Sequence, residues 1–373
     1  MKIGITCYPT YGGSGVVASE LGIELAERGH QVHFISYEMP FKINKYYKNI
    51  YFHEVEVLEY PLFKYPPYSL SLSVKMAEIF ESAGLDLMHV HYAIPHAASA
   101  YLTQKILGKN SGFKFITTLH GTDITIVGNH SSFYKLTKFC IENSSGITCV
   151  SNYLKQLTME TFNIKKDIKV IYNFVDTSKY KRNQCDKKKL GLIKKNEFGI
   201  IHVSNFRPVK KIRNIVEMFH RVRKEVNCKL ILVGEGPELS IVKEMVNNLN
   251  LSSKVFFLGR KDNVVPLLNC ADLYLLPSKS ESFGVSALEA LSCGVPVIGT
   301  NVGGLKEVVI DGVCGYLFDP EDIDAMTKAS INILNNRSFL DKMSAGARET
   351  ALKFDSKVII PKYIEYYKTI IES

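Results

Sequence analysis

The sequence predicts an α/β protein made of two doubly wound parallel-sheet domains. Three observations point that way. Short β-rich runs alternate with amphipathic helical runs, and the alternation restarts after a polar seam at 173–198. The chain, at 373 residues, also exceeds the roughly 250–300 residues that one core normally sustains. Hydrophobic content of 46% and charged content of 22% fit an ordinary globular chain.

The first unit begins with KIGITCY as a strand, the glycine turn Gly12-Gly13-Ser14-Gly15, and VVASELGIELAERGH as a helix. In that helix Val16, Leu21, Leu25 and Ala26 recur at helical spacing, and Gly29 supplies the stop. QVHFISY returns as a strand and completes a βαβ unit. Further strands follow at DLMHVHY, KFITTLHG, GITCVS and KVIYNF, with helical runs such as SLSVKMAEIFESAG between them. The second series reads GIIHVSN, CKLILVGEG, KVFFLG, DLYLLPS and PVIGT as strands. NIVEMFHRVRKEV, ELSIVKEMVNNLN, NVVPLLNCA and the stretch after SESFG are its helices. This places one domain at 1–172 and the other at 173–355. The helix at 356–373 carries enough apolar surface to pack back on the first domain.

The net charge of +9 comes largely from lysines on helix faces and from the runs Lys187-Lys188-Lys189 and Lys194-Lys195. It implies a basic surface with some pull on small anions. No basic-aromatic stripe accompanies it, so nucleic acid is not an expected partner. Eight cysteines form no CxxC pair. Cys7, Cys140, Cys149, Cys228, Cys270 and Cys293 lie in apolar runs and Cys185 and Cys314 in more exposed ones, so all are expected to be reduced thiols. No apolar run approaches the roughly 20 residues of a membrane span, and the chain opens directly on a strand. A cytoplasmic protein without stable membrane insertion is therefore expected; homo-oligomerisation stays open.

The candidate site residues sit just past strand ends, where open α/β sheets bind ligands. The turn Gly12-Gly13-Ser14-Gly15 is either a plain tight turn or a contact for an anion at a helix N-terminus. Asn205, Arg207, Lys210 and Lys211 follow GIIHVSN and would suit a diphosphate. Gly234-Glu235-Gly236-Pro237 and Gly259-Arg260 are strand-to-helix turns. Glu281 falls in the loop after DLYLLPS, and Phe283-Gly284 opens a helix whose second turn carries Glu289. Carboxylates accept paired hydrogen bonds from vicinal hydroxyls, so sugar rings are natural partners of these two. In the first unit His91, Tyr92 and His96 end one strand, while His120 and Asp123 end another. Asp322-Ile-Asp324 opens a helix and is expected to be structural. No zinc-ligand spacing exists, and neither metal nor cofactor is expected.

ESFGVSALE, ALSCGVPVIGTNVGGLKEVV, SNFRPVKK, GEGP, the GG turn and LHGTD occur in order across essentially the whole chain. Together they resemble the retaining glycosyltransferases of family four, of GT-B architecture, whose two Rossmann-like domains face a central cleft. CYPTYGGSGVVASELG, FKYPPYSL, HYAIPHA, TTLHGTDIT and YNFVD narrow the resemblance within that family. They resemble the branch that moves N-acetylglucosamine from UDP-N-acetylglucosamine to the hydroxyl of L-malate, the first step of bacillithiol biosynthesis. An alternative is a member acting on a lipid-linked or cell-wall acceptor.

By this resemblance Glu289 holds the ribose hydroxyls, Glu281 the 3-hydroxyl region of the sugar, and Lys210 the diphosphate. Phe283 and Gly284 offer backbone amides, Gly13 and Gly234 line the donor, and uracil lies near Arg260 to Val264. His120 meets the sugar's 6-hydroxyl, and malate would contact Ser14, Tyr92 and Thr118. Many relatives carry an arginine five residues before the phosphate lysine. Asn205 stands there in this chain, which leaves Arg207 as the nearby cation.

Overall fold

The computed structural model describes every residue except Tyr11, Glu59, Gln184 and 186–190. The run Lys187-Lys188-Lys189 therefore lies outside the described residues. The chain divides into two units, Met1–Asn173 with Lys357–Ser373, and Phe174–Ser356.

Unit 1 is a seven-stranded sheet. Its strands are β1 (Lys2–Thr6), β2 (Gln31–Ser36), β3 (Ile50–Glu54), β4 (Leu87–His91), β5 (Phe115–Leu119), β6 (Gly146–Cys149) and β7 (Lys169–Val170). They pair in the order β3-β2-β1-β4-β5-β6-β7, all in parallel. Its helices are α1 (Ser14–Glu27), α2 (Tyr68–Ala83), α3 (Ala98–Leu107), α4 (Thr122–Thr125), α5 (Tyr134–Asn143) and α6 (Asn152–Phe162). β4 and β5 are buried at every position, as a central parallel strand covered on both faces must be.

Unit 2 is a six-stranded sheet. Its strands are β8 (Phe198–Val203), β9 (Cys228–Val233), β10 (Val255–Phe257), β11 (Leu273–Leu276), β12 (Val297–Thr300) and β13 (Gly315–Phe318). Their order is β10-β9-β8-β11-β12-β13, again wholly parallel. Its helices are α7 (Ile212–Val222), α8 (Leu239–Asn248), α9 (Val265–Asn269), α10 (Val285–Ser292), α11 (Ile323–Asn335) and α12 (Arg337–Leu352). α7 buries Ile212, Ile215, Val216, Met218, Phe219 and Val222 on one stripe against the sheet. Each such side chain contributes about 1.5–3 kcal/mol relative to exposure.

The last helix, α13 (Ser356–Glu372), packs on unit 1. The hydroxyl of its Tyr367 lies 2.7 Å from His89 Nδ1, and that of Tyr366 accepts from Ile147 N at 3.0 Å. Lys114 Nζ donates to Ile371 O at 3.0 Å.

The expectation of reduced cysteines is corrected at one pair. Cys185 and Cys270 form a disulfide with Cα atoms 5.0 Å apart, because the segment past Arg182 runs back alongside the end of α9. Cys314, expected to be exposed, is fully buried. Asp322 caps α11 by accepting from Ala325 N at 2.9 Å, and Asp324 pairs with Arg221, so both have structural roles. Among the described residues no helix is long and apolar enough to cross a membrane, and no group of three or more His, Cys, Asp or Glu side chains could hold a metal ion.

Candidate active site

In unit 2 the loops at the C-terminal edge of the sheet are tied to one another through their backbones. Phe206 N donates to Glu235 O at 2.8 Å, Glu238 N to Phe206 O at 2.9 Å, and Gly234 N to Gly259 O at 2.9 Å. Lys279 N reaches Val209 O at 2.8 Å, and Gly304 N reaches Glu281 O at 2.9 Å. The glycines of the GEGP turn make this possible. Gly234 has φ +127°, and a Cβ there would lie 1.8 Å from Ser204 O. A Cβ on Gly236 would meet the backbone of Phe206 at 2.7 Å.

Within this frame lie the side chains expected at the donor. Lys210 Nζ is 2.5 Å from Glu281 Oε1, with the two side chains only 19% and 9% exposed. Glu281 sits on a loop, as expected, yet it is buried rather than on an open lip. Gly284, at φ +97°, turns the chain into α10. The Phe283 ring is buried edge-on against Phe354 at 5.6 Å, which fixes the start of that helix. Glu289, in the second turn of α10, accepts a hydrogen bond from the Tyr180 hydroxyl at 2.9 Å. Arg260 pairs with Glu235 at 3.2 Å near the surface. Val264 is mostly buried at the start of α9, which leaves it little surface for a base. Asn205 and Arg207 are exposed on the loop that carries Lys210.

In unit 1 the C-terminal ends of β1, β4 and β5 gather the polar groups. Ser14 Oγ donates to the Tyr92 hydroxyl at 2.8 Å, just past the Gly12-Gly13 turn. Tyr92 has φ +83°, a region costly for a bulky side chain, by about 1–3 kcal/mol. Its ring is held there against Tyr8 at 5.5 Å and His120 at 5.3 Å. His91 Nδ1 and His120 Nε2 are 2.8 Å apart. The Asp123 carboxylate accepts from the backbone N–H of His120 at 3.2 Å, Gly121 at 2.9 Å and Ala93 at 3.1 Å. His120 is half-buried, whereas His91 and His96 are fully buried, so of the three His120 is the one open to a ligand.

Thr118 is the residue expected to face the acceptor from β5. It is fully buried, and its Oγ1 lies 2.6 Å from His89 Nε2 and 2.5 Å from Thr148 Oγ1. The cause is α13, which covers that part of β4 and β5 through Tyr363 and Tyr367.

The comparisons with known proteins bear on this arrangement. A model described as glycosyl transferases group 1 matches residues 183–350, and one described as glycosyltransferase family 4 matches residues 11–179. The chain is 47% identical over 373 residues to the N-acetyl-alpha-D-glucosaminyl L-malate synthase of Bacillus anthracis, covering 100% of this chain and 97% of that protein. The chain belongs to glycosyltransferase family four. Its two Rossmann-like units are those of the GT-B fold. The same fold is found in sucrose-phosphate synthase from Thermosynechococcus elongatus, at TM-score 0.82 and 21% identity over 100% of this chain and 99% of that one. It is shared too with Anabaena HepE in complex with UDP, at TM-score 0.80 and 20% identity over 99% of each chain.

The histidines give this family-four glycosyltransferase an acid-sensitive first unit. Burial pushes the His89 imidazole down to about 3 and His96 to about 4. His91 is also held well below 6.5, by burial first and neighbouring histidines second. These groups take up protons more readily in the unfolded chain, so they contribute stability above about pH 6.5 that is lost as pH falls toward 4. Asp123 opposes them, since burial raises its carboxyl to about 6. The histidines outnumber it. The unfolding free energy read from urea titrations is expected to fall steadily from pH 6.5 to 4.5, by up to about 1.4 kcal/mol per pH unit for each histidine, and the urea midpoint with it. A flat or rising midpoint over that window would contradict neutral burial of these rings.

Two groups at the site escape sequence reasoning. Tyr180 lies 109 residues from the carboxylate that it contacts. His202, fully buried in β8, lies 2.6 Å from Ser204 Oγ through Nε2 and 2.7 Å from Leu275 O through Nδ1. A histidine inside the strand that leads into the 205–211 loop was the only signal of the latter, and for Tyr180 there was none.

Proposed function

We propose that the chain is a cytoplasmic enzyme that transfers N-acetylglucosamine from UDP-N-acetylglucosamine to the hydroxyl of L-malate with retention at the anomeric carbon. The relative of 47% identity, whose name is that activity, supports the choice of sugar and acceptor. The observation that carries the chemistry is Lys210 at 2.5 Å from Glu281, on a rigid loop at the sheet edge. In this reading Lys210 draws the departing diphosphate, while Glu281 accepts a sugar hydroxyl and Glu289 the ribose diol. Gly13, Gly234, Arg260, Phe283 and Gly284 shape the donor's surroundings. His120 meets the sugar, and Ser14 and Tyr92 meet malate.

The bond between the anomeric carbon and the diphosphate oxygen breaks as Lys210 and the α10 N-terminus stabilise the leaving group. The malate hydroxyl then bonds to that carbon from the side the diphosphate leaves, and its proton passes to a diphosphate oxygen. Charge on the leaving group is met by protein cations, so the route calls for no metal. Purified protein given UDP-N-acetylglucosamine and L-malate is expected to yield N-acetylglucosaminyl malate by mass, at a rate unchanged by excess EDTA. Absence of that product, with UDP released and the sugar transferred to another acceptor instead, would overturn the assignment of malate.

A further inference from the structure

We propose that Tyr180 is a positioning residue for the donor: its hydroxyl fixes the carboxylate of Glu289. The inference rests on the assignment of Glu289 to the ribose hydroxyls of UDP and deepens it.

Tyr180 is 8% exposed, and its hydroxyl donates to Glu289 Oε1 at 2.9 Å. A tyrosine aims its hydroxyl well only if its backbone is fixed, and here it is. Tyr180 O accepts from Ser292 Oγ at 2.5 Å and from Arg348 Nη1 at 2.7 Å, and Tyr180 N donates to Asp176 O at 2.9 Å. Arg348 also donates to Ser292 O at 2.7 Å and Thr177 O at 2.9 Å, joining this strap to the end of α10. Further back, Val175 N donates to Phe354 O and Ser356 N to Val175 O, both at 3.0 Å, and Asp355 accepts from Thr177. The strap at 175–180 is thus held at both ends, and from it the Tyr180 hydroxyl reaches Glu289. Glutamate has three rotatable side-chain bonds, and ordering it on binding weakens affinity. A buried phenol anchored at its backbone removes that cost in advance. The hydroxyl is directed at a charged acceptor on α10, while the residue itself is buried.

The test measures binding of UDP and of 2′,3′-dideoxy-UDP by calorimetry, on the native chain, Tyr180→Phe, Glu289→Gln and the double variant. Phenylalanine keeps the ring, and urea unfolding checks that the fold is retained. Tyr180→Phe is expected to weaken UDP about tenfold, the range for a hydrogen bond to a charged group. It should raise the donor KM to match while kcat stays within about twofold, and leave dideoxy-UDP unchanged. It should add nothing in the Glu289→Gln background. Equal weakening of both nucleotides, or a full further loss on top of Glu289→Gln, would mean that Tyr180 supports the fold alone and overturns the inference. So would an unaltered affinity for UDP in Tyr180→Phe when Glu289→Gln weakens it. If Glu289→Gln itself leaves UDP binding intact, the assignment of Glu289 fails instead.

Discussion

Replacing Lys210 with alanine is expected to lower kcat/KM for transfer by about 100- to 1000-fold, the loss seen when one preorganised charge-stabilising group is removed. Lys210 is on a short turn, 208–210, followed by Lys211 at φ +52°, and Lys210 N donates to Arg207 O at 2.9 Å. Its backbone is therefore fixed, and its ammonium is held by Glu281. The substitution also strips the buried Glu281 of its partner at 2.5 Å, so part of the loss could come from a displaced carboxylate. The double variant Lys210→Ala/Glu281→Gln separates the two effects. It should recover stability, read as the thermal midpoint, without recovering rate. A loss below about tenfold in the single variant, roughly 1.4 kcal/mol, would count against a central role in leaving-group stabilisation.

Gly234→Ala should be nearly as damaging through a different route. At φ +127° an alanine is strained by about 1–3 kcal/mol, and its methyl would sit 1.8 Å from Ser204 O. That carbonyl belongs to rigid backbone, so the 204–210 loop would have to move and carry Lys210 with it. A stability loss of about 3 kcal/mol or more is expected, together with weaker UDP binding. Gly312→Ala is the matched control: φ is +74° but a Cβ there meets open space, so only the conformational strain applies. Similar small shifts of the thermal midpoint in both variants would show that the GEGP turn adapts, and the argument from close approach would fail.

Much of this was legible in the chain because the relevant signals are local. Strand, glycine turn and helix follow one another within a few residues, so the turns at Gly12-Gly13, Gly234 and Gly284 could be placed at strand ends without coordinates. The rest depends on distance in sequence or on depth. The edge strand β3, IYFHE, is half-exposed with no clean alternation, so period alone does not find it. Thr118 belongs to a polar-looking strand end, but nothing in TTLHG reveals that a helix 245 or more residues later covers it, as the Tyr363 and Tyr367 positions do. The bond between Cys185 and Cys270 spans 85 residues and has no spacing motif. Tyr180 occupies what read as a linker, and its partner on α10 becomes visible only in three dimensions.

The order of synthesis is a consequence of where α13 lies. Unit 1 owns both the opening 173 residues and Lys357–Ser373, with all of unit 2 between them. A nascent chain leaving the ribosome therefore exposes the His89 and Ile147 side of the first sheet until the intervening half has emerged. Stalling or clipping before Tyr366 and Tyr367 would leave that sheet uncovered, and unit 2 could mature while unit 1 remained dependent on chaperones.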